Sequence, residues 1–132
     1  MPKLKKLTPA EWEIMEVIWA IGGSPCVRDV VEYRYPDGEK AYTTVQTIMN
    51  TLEKKAVLTR KKIGLVNFYT PSVSRDNMVN AEISSLLKRL FNGSVPALAN
   101  YLIHDSTFDK EDIDQIRALL EEKAISLKEK KR

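Results

Sequence analysis

Few side chains here are of a kind that makes or breaks bonds. The one histidine, His104, and the one cysteine, Cys26, lie far apart in the sequence. None of the spacings HExxH, GxSxG, GxxxxGK[ST] or GxGxxG occurs, which removes the common metal, nucleophile and phosphate-loop signatures. Asp105, Asp109, Asp112 and Asp114 form an acidic group. They surround a helix start, where caps and first-turn acids are favoured by the helix dipole. His104 reads as a last-turn residue and Cys26 as a small buried hydrophobe. A lone cysteine also excludes an intramolecular disulfide and a cysteine-built metal site. The expectation is a protein that is not an enzyme, with no catalytic residue, cofactor or metal.

The chemistry that remains is recognition. In Ala41–Lys62, AYTTVQTIMNTLEKKAVLTRKK, the apolar residues Val45, Ile48, Met49 and Leu52 fall at i, i+3, i+4 and i+7, one narrow helical stripe. Thr43, Thr47, Asn50 and Lys54 fall on the far side, flanked by Gln46 and Thr51, with Thr44 close by. That face is small, hydrogen-bonding and almost free of acid, as approach to a DNA groove requires. A basic strand, Val57 to Ile63, follows, then Gly64, then a second strand from Val66 to Thr70. Arg60, Lys61 and Lys62 on it are placed to meet phosphate or a minor groove. Lys54 and Lys55 are expected to hold the DNA backbone, leaving the polar face of the helix to read bases.

The elements that must position this stretch come before it. Thr8-Pro9-Ala10-Glu11 opens a helix with a capping box and a proline at its first position. Trp12, Met15, Ile18 and Trp19 form its buried stripe, and Gly22-Gly23 ends it. A short helix from Val27 to Tyr35 follows, stopped by Pro36-Asp37-Gly38. With a short first strand placed between them, the order α-(β)-α-α-β-β is that of a winged helix.

Composition agrees with such a role. Hydrophobic residues at 43% and charged residues at 30% describe a folded chain. No apolar run approaches about 18 residues, so no membrane insertion is expected. The N-terminus lacks the apolar run of a signal peptide, which makes the cytoplasm the default. The net charge of +3 lies wholly in residues 1–73, which hold 11 basic and 8 acidic side chains. Residues 74–132 hold 10 of each. Within 40–62, Lys40, Lys54, Lys55, Arg60, Lys61 and Lys62 face Glu53 alone, an electrostatic footprint suited to phosphate.

From Ser74 the character changes to three helices without charge bias. The first carries Leu86, Leu87 and Leu90, the second Leu98 and Leu102, and the third, Lys110–Lys128 capped by Asp109, carries Ile113, Ile116 and Leu120. A three-helix core of this size is marginal alone. Pairing two copies buries the leftover apolar faces, so these residues are assigned to a homodimer. Lys128 to Arg132 are polar and expected to fray. The fold class is thus mostly α with a small β wing. Residues 1–73 form a winged helix-turn-helix DNA-binding domain and 74–132 a three-helix dimerisation domain. A two-fold protein implies a palindromic double-stranded DNA operator.

LTPAEWEIMEVIW, TTVQTIMNTLEKKAVLTRKKIGLVNFYTP, LLKRLFNGSVPALANYLIHD and EDIDQIRALLEEK together resemble the BlaI/MecI penicillinase-repressor family, over about Leu7 to Lys123. The resemblance implies a dimeric repressor of β-lactam resistance genes. It also implies inactivation by proteolysis in the dimerisation domain, in a pathway started by a membrane-bound sensor metalloprotease. The family's cut lies at an Asn-Phe bond, and Asn100-Tyr101 stands at that position here, keeping the aromatic ring. A copper-sensing branch carries C-terminal cysteines, and this chain has none after Cys26. Many relatives carry basic residues where this chain has Thr43 and Thr51, which shifts base reading towards Thr44, Gln46, Thr47 and Asn50. Two other readings are a family repressor of an unrelated operon and, from a different class, a winged-helix protein-interaction adaptor. The adaptor would carry exposed apolar or acidic residues on its third helix, unlike Thr43, Thr47 and Asn50.

Overall fold

The computed structural model describes residues 6–105 and 107–131. Three helices open the chain: α1 (Pro9–Ile21), α2 (Val27–Arg34) and α3 (Tyr42–Lys54). A hairpin follows, β1 (Leu58–Ile63) and β2 (Val66–Pro71), then α4 (Arg75–Phe91), α5 (Val95–His104) and α6 (Lys110–Lys130). The fold is mostly helical with a two-stranded antiparallel wing.

Local chemistry fixes the helix ends. The Thr8 hydroxyl accepts from the Glu11 N–H at 3.2 Å, while the Thr8 N–H donates to Glu11 Oε1 at 2.7 Å, the reciprocal box expected of that sequence. Asp109 and Asp112 repeat it at the start of α6. Ser94 caps α5, and Ser74 Oγ accepts from the Asn77 N–H at the start of α4. Helix α6 continues through Lys130, past the expected onset of fraying at Lys128, and Arg132 lies outside the described residues.

The short strand expected between α1 and α2 is not formed among the described residues. What remains is one backbone hydrogen bond, from the Tyr69 N–H to the Pro25 carbonyl at 2.9 Å, with Ser24 and Thr70 hydroxyls 2.6 Å apart beside it. Pro25 has no N–H, so it cannot return a second ladder bond.

Two compact units divide at Ser85/Leu86, within α4. The division falls beyond 73/74 because Met78, on the first part of α4, is buried in the N-terminal core. Arg75 also pairs with Glu16 at 2.9 Å. That core joins Ile14, Met15 and Ile18 of α1, Val30 of α2, Val45, Met49 and Leu52 of α3, and Leu58 and Tyr69 of the hairpin. Trp12 and Trp19, expected within it, are half-buried at its edge with ring centroids 5.8 Å apart. The Trp19 indole N–H donates to the Val73 carbonyl, which explains why a tryptophan sits at this partly wet position. Cys26 is half-buried rather than buried, because it is the N-cap residue of α2, at the surface.

In the second unit no residue of α5 or α6 is buried within the chain. Leu86, Leu87 and Leu98 are half-buried, whereas Leu90, Leu102, Ile113, Ile116 and Leu120 are exposed. The three-helix core foreseen from sequence is therefore not closed within one copy.

Candidate nucleic-acid interface

Helix α3 buries Val45, Met49 and Leu52 and half-buries Ile48, so the inner stripe fixes which residues face out. Thr43, Thr44 and Thr47 are exposed, while Gln46, Asn50 and Thr51 are half-buried. The Thr47 hydroxyl donates to the Thr43 carbonyl at 2.9 Å, and the Thr51 hydroxyl to the Thr47 carbonyl at 3.0 Å. With their protons committed to the helix, these hydroxyls offer outward only lone pairs and methyl groups. Such a surface suits a base amino group and the thymine methyl. Asn50 is less free than its sequence position suggested, because the Tyr69 hydroxyl donates to its Oδ1 at 2.7 Å. Its amide N–H₂ and one remaining lone pair on Oδ1 are left to point elsewhere.

The six cations of 40–62 separate into two groups. Lys55 turns inward, with Nζ 2.6 Å from Glu11 Oε1 and 3.1 Å from the Lys6 carbonyl. Glu11 is only 4% exposed. Burial pushes its carboxyl up, but the Lys55 ammonium and the Thr8 N–H outweigh burial and hold it below its ordinary value. Lys55 is therefore structural, a correction to its expected role on the DNA backbone. Lys40 lies 3.0 Å from Glu13 Oε2 and 5.3 Å from the Tyr35 ring centroid. The Tyr35 hydroxyl donates to the same carboxylate. Burial, then that bond, pushes the Tyr35 phenol up to about 12. Lys54, Arg60, Lys61 and Lys62 are exposed and, among the described residues, form no ion pair.

The hairpin register divides its cations further. Arg60 pairs with Tyr69 and Lys62 with Asn67, while Lys61 pairs with Phe68. Cross-strand partners share a face, so Arg60 and Lys62 lie on the face that Tyr69 turns towards α3, and Lys61 lies on the other. Burial raises the Tyr69 phenol, and the Arg60 guanidinium opposes that rise. Between the wing and the helices opens a cleft of about 310 Å³, lined by Arg28, Tyr42, Gln46, Leu65 and Asn67 among others. Arg28, Tyr42 and Asn67 were not foreseen here. Arg28 belongs to α2 and Asn67 to β2, so only the fold brings them beside Gln46.

Elsewhere, Asn100 and Tyr101 are exposed on α5. The Asn100 carbonyl is bonded to His104 Nδ1 at 2.8 Å, and the Tyr101 ring is 6.1 Å from Phe91. Among the described residues no helix is long and apolar enough to cross a membrane.

A three-helix head, a two-stranded wing and a polar third helix beside it define a winged helix. The model of the family described as "Penicillinase repressor" matches residues 7–122, and the chain belongs to that family. The penicillinase repressor of Bacillus licheniformis is 28% identical over 122 residues, 92% of this chain and 94% of that protein. The methicillin resistance regulatory protein MecI of Mammaliicoccus sciuri is 21% identical over 121 residues, 92% of this chain and 98% of that protein. The solution structure of the DNA-binding domain of the repressor BlaI superposes with a TM-score of 0.50 at 31% identity. It covers 58% of this chain and 93% of that one.

Proposed function

We propose that this chain is a homodimeric, sequence-specific DNA-binding repressor of β-lactam resistance genes, acting on palindromic operators. The observation that carries the reading is the acid-free threonine face of α3 standing beside the exposed cations Arg60 and Lys62, which form no ion pair among the described residues. Thr43, Thr44, Gln46, Thr47, Asn50 and Thr51 read the major groove, and Lys54, Arg60 and Lys62 neutralise phosphate, while Lys61, on the other face of the wing, does not. Family membership and the likeness to a repressor's DNA-binding domain support it.

The apolar faces of α4 to α6 support the dimer. Leu90, Leu102, Ile113, Ile116 and Leu120 are exposed in the single chain, a patch of the kind that marks a protein interface. Two linked half-site readers gain roughly 10²–10⁴ in apparent affinity over one. Cleavage at Asn100-Tyr101, at the end of a pathway started by a membrane-bound sensor metalloprotease, would cut α5 in two. It would separate the pair and release the operator by loss of avidity alone.

Capture and sequencing of fragments of the source genome bound by the full chain tests the reading, alongside sedimentation of the free protein. Enrichment of a palindrome upstream of β-lactam resistance genes and a dimeric mass are expected. Failure to enrich any palindromic site would overturn it, and enrichment beside other genes would assign the repressor to another operon.

A further inference from the structure

The end of the wing is apolar where a hairpin turn is ordinarily polar. Gly64 and Leu65 form the turn between the last ladder pair, Ile63 and Val66. Gly64 has φ +64° and Leu65 is not in the left-handed region, the pattern of a turn that needs glycine first and leaves the second position open. At that open position stands leucine, 94% exposed, with Ile63 at 58% and Val66 at 44% on either side. Leu65 is almost uncovered among the described residues, so it contributes little to the stability of the first unit. Scattered surface leucines need no explanation, but three apolar residues clustered at one hairpin turn do.

We propose that Leu65 is a wedge that enters the minor groove flanking each half-site and opens a base step there. The proposal rests on the DNA-binding reading above. The occupant follows from charge: Arg60 and Lys62 precede the tip on the face turned towards α3. With Asn67 they make a basic and polar ribbon that leads along a phosphate chain to an apolar end. An acidic or neutral protein surface would meet Leu65 equally well but would leave this alignment with α3 without purpose. Apolar side chains inserted between base steps unstack them and bend the duplex. Pyrimidine–purine steps such as TA and CA/TG yield most easily. Leu65 would thereby select flanking sequence without a hydrogen bond to any base, while α3 reads the half-site itself.

Parallel selections from a random-sequence duplex pool test this, using the full wild-type chain, Leu65→Ser and Leu65→Arg. Because Leu65 is exposed, both variants should melt with the wild type. The wild type is expected to enrich half-sites flanked by a pyrimidine–purine step. Leu65→Ser should keep the half-sites and lose about fivefold or more of its preference for that step. Its salt dependence should not change, and its bend in a phasing assay should be smaller. Leu65→Arg should also lose the step preference, although its charge raises affinity at low salt. Identical flanks and bends for all three proteins would overturn the wedge and leave the DNA reading intact. So would a uniform loss of affinity without change in flank or bend, or an effect confined to protein association. A wild type that enriches no sequence at all would instead overturn the DNA reading.

Discussion

The Tyr69 hydroxyl on β2 donates to Oδ1 of Asn50 on α3 at 2.7 Å, so the wing and the helix beside it are joined through a side chain that faces the proposed DNA. Tyr69 is fully buried, and its backbone N–H is held by Pro25. Asn50→Ala would leave a buried phenol without its acceptor, at a cost of about 1–3 kcal/mol, whereas Tyr69→Phe removes the donor itself at about 1 kcal/mol. Loss of DNA binding in Asn50→Ala alone would therefore mix stability with recognition. Tyr69→Phe separates them, since it frees the whole Asn50 amide for the bidentate pairing that asparagine makes with adenine. The expected outcome is a small loss in urea denaturation and a shift towards adenine at one operator position. An unchanged preference would place Asn50 away from the bases.

A second long-range pair sets the acid stability. Glu11 is depressed below its ordinary value of 4.5, so its bond to Lys55 stabilises the fold fully above that value. That contribution is lost as pH falls through the lower folded value, because the unfolded chain then binds the proton first. Glu13 is depressed too, chiefly by Tyr35 and Lys40, but its side chain is 41% exposed and contributes less. Lys55→Met should destabilise by about 3 kcal/mol at neutral pH, because it leaves a buried carboxylate without its cation and with the Thr8 hydrogen bonds alone. Without Lys55 the depression of Glu11 shrinks, although the Thr8 hydrogen bonds still oppose burial, so the variant should lose less stability on mild acidification than the wild type. Urea midpoints across that pH range give the comparison, and parallel pH profiles would refute the assignment.

These two pairs show what the sequence could and could not disclose. Thr8 and Glu11 are three residues apart, and their box follows from helix geometry alone, as does that of Asp109 and Asp112. The same Glu11 meets Lys55 across 44 residues, and Asn50 meets Tyr69 across 19. Periodicity says which face a side chain occupies, but not which distant residue it meets. Lys55 therefore looked like another surface cation. The inner stripe of α3 was legible because burial follows the 3.6-residue period, and so was the hairpin, from its alternation around Gly64. The strand expected before α2 is replaced by one bond to the Pro25 carbonyl, and such a bond leaves no pattern in residue types that would tell it from a strand.

Ala56 carries a strain visible only in the backbone. It follows α3 with φ +64°, and the Val57 N–H reaches back to the Leu52 carbonyl at 3.0 Å, the closing bond of a Schellman cap. Glycine is the usual occupant of that left-handed position, and a Cβ there costs roughly 1 kcal/mol. Ala56→Gly should therefore stabilise the first unit by about that amount, although glycine also has more freedom to lose on folding. A higher denaturant midpoint with an unchanged slope is the expected result. An unchanged or lower midpoint would mean that the Ser72 hydroxyl, which donates to the Ala56 carbonyl, already compensates for the strain.

The wing's three cations should not be equivalent on DNA. Arg60 and Lys62 share the Tyr69 face, which turns towards α3, whereas Lys61 lies with Phe68 on the opposite face. A phosphate contact releases condensed counterions, and each one lost lowers the magnitude of the logarithmic salt slope by about 0.9. Arg60→Ala and Lys62→Ala should each flatten the slope by about that amount and weaken all sequences alike, since phosphate carries no base information. Lys61→Ala should leave the slope within error, and its exposure makes a folding defect unexpected. Titrations of one duplex at several salt concentrations measure all three. Equal effects would mean that the wing meets DNA edge-on, with both faces against phosphate. A larger effect at Lys61 would turn the proposed interface over, taking Arg60 and Lys62 off the backbone and placing Phe68 beside it.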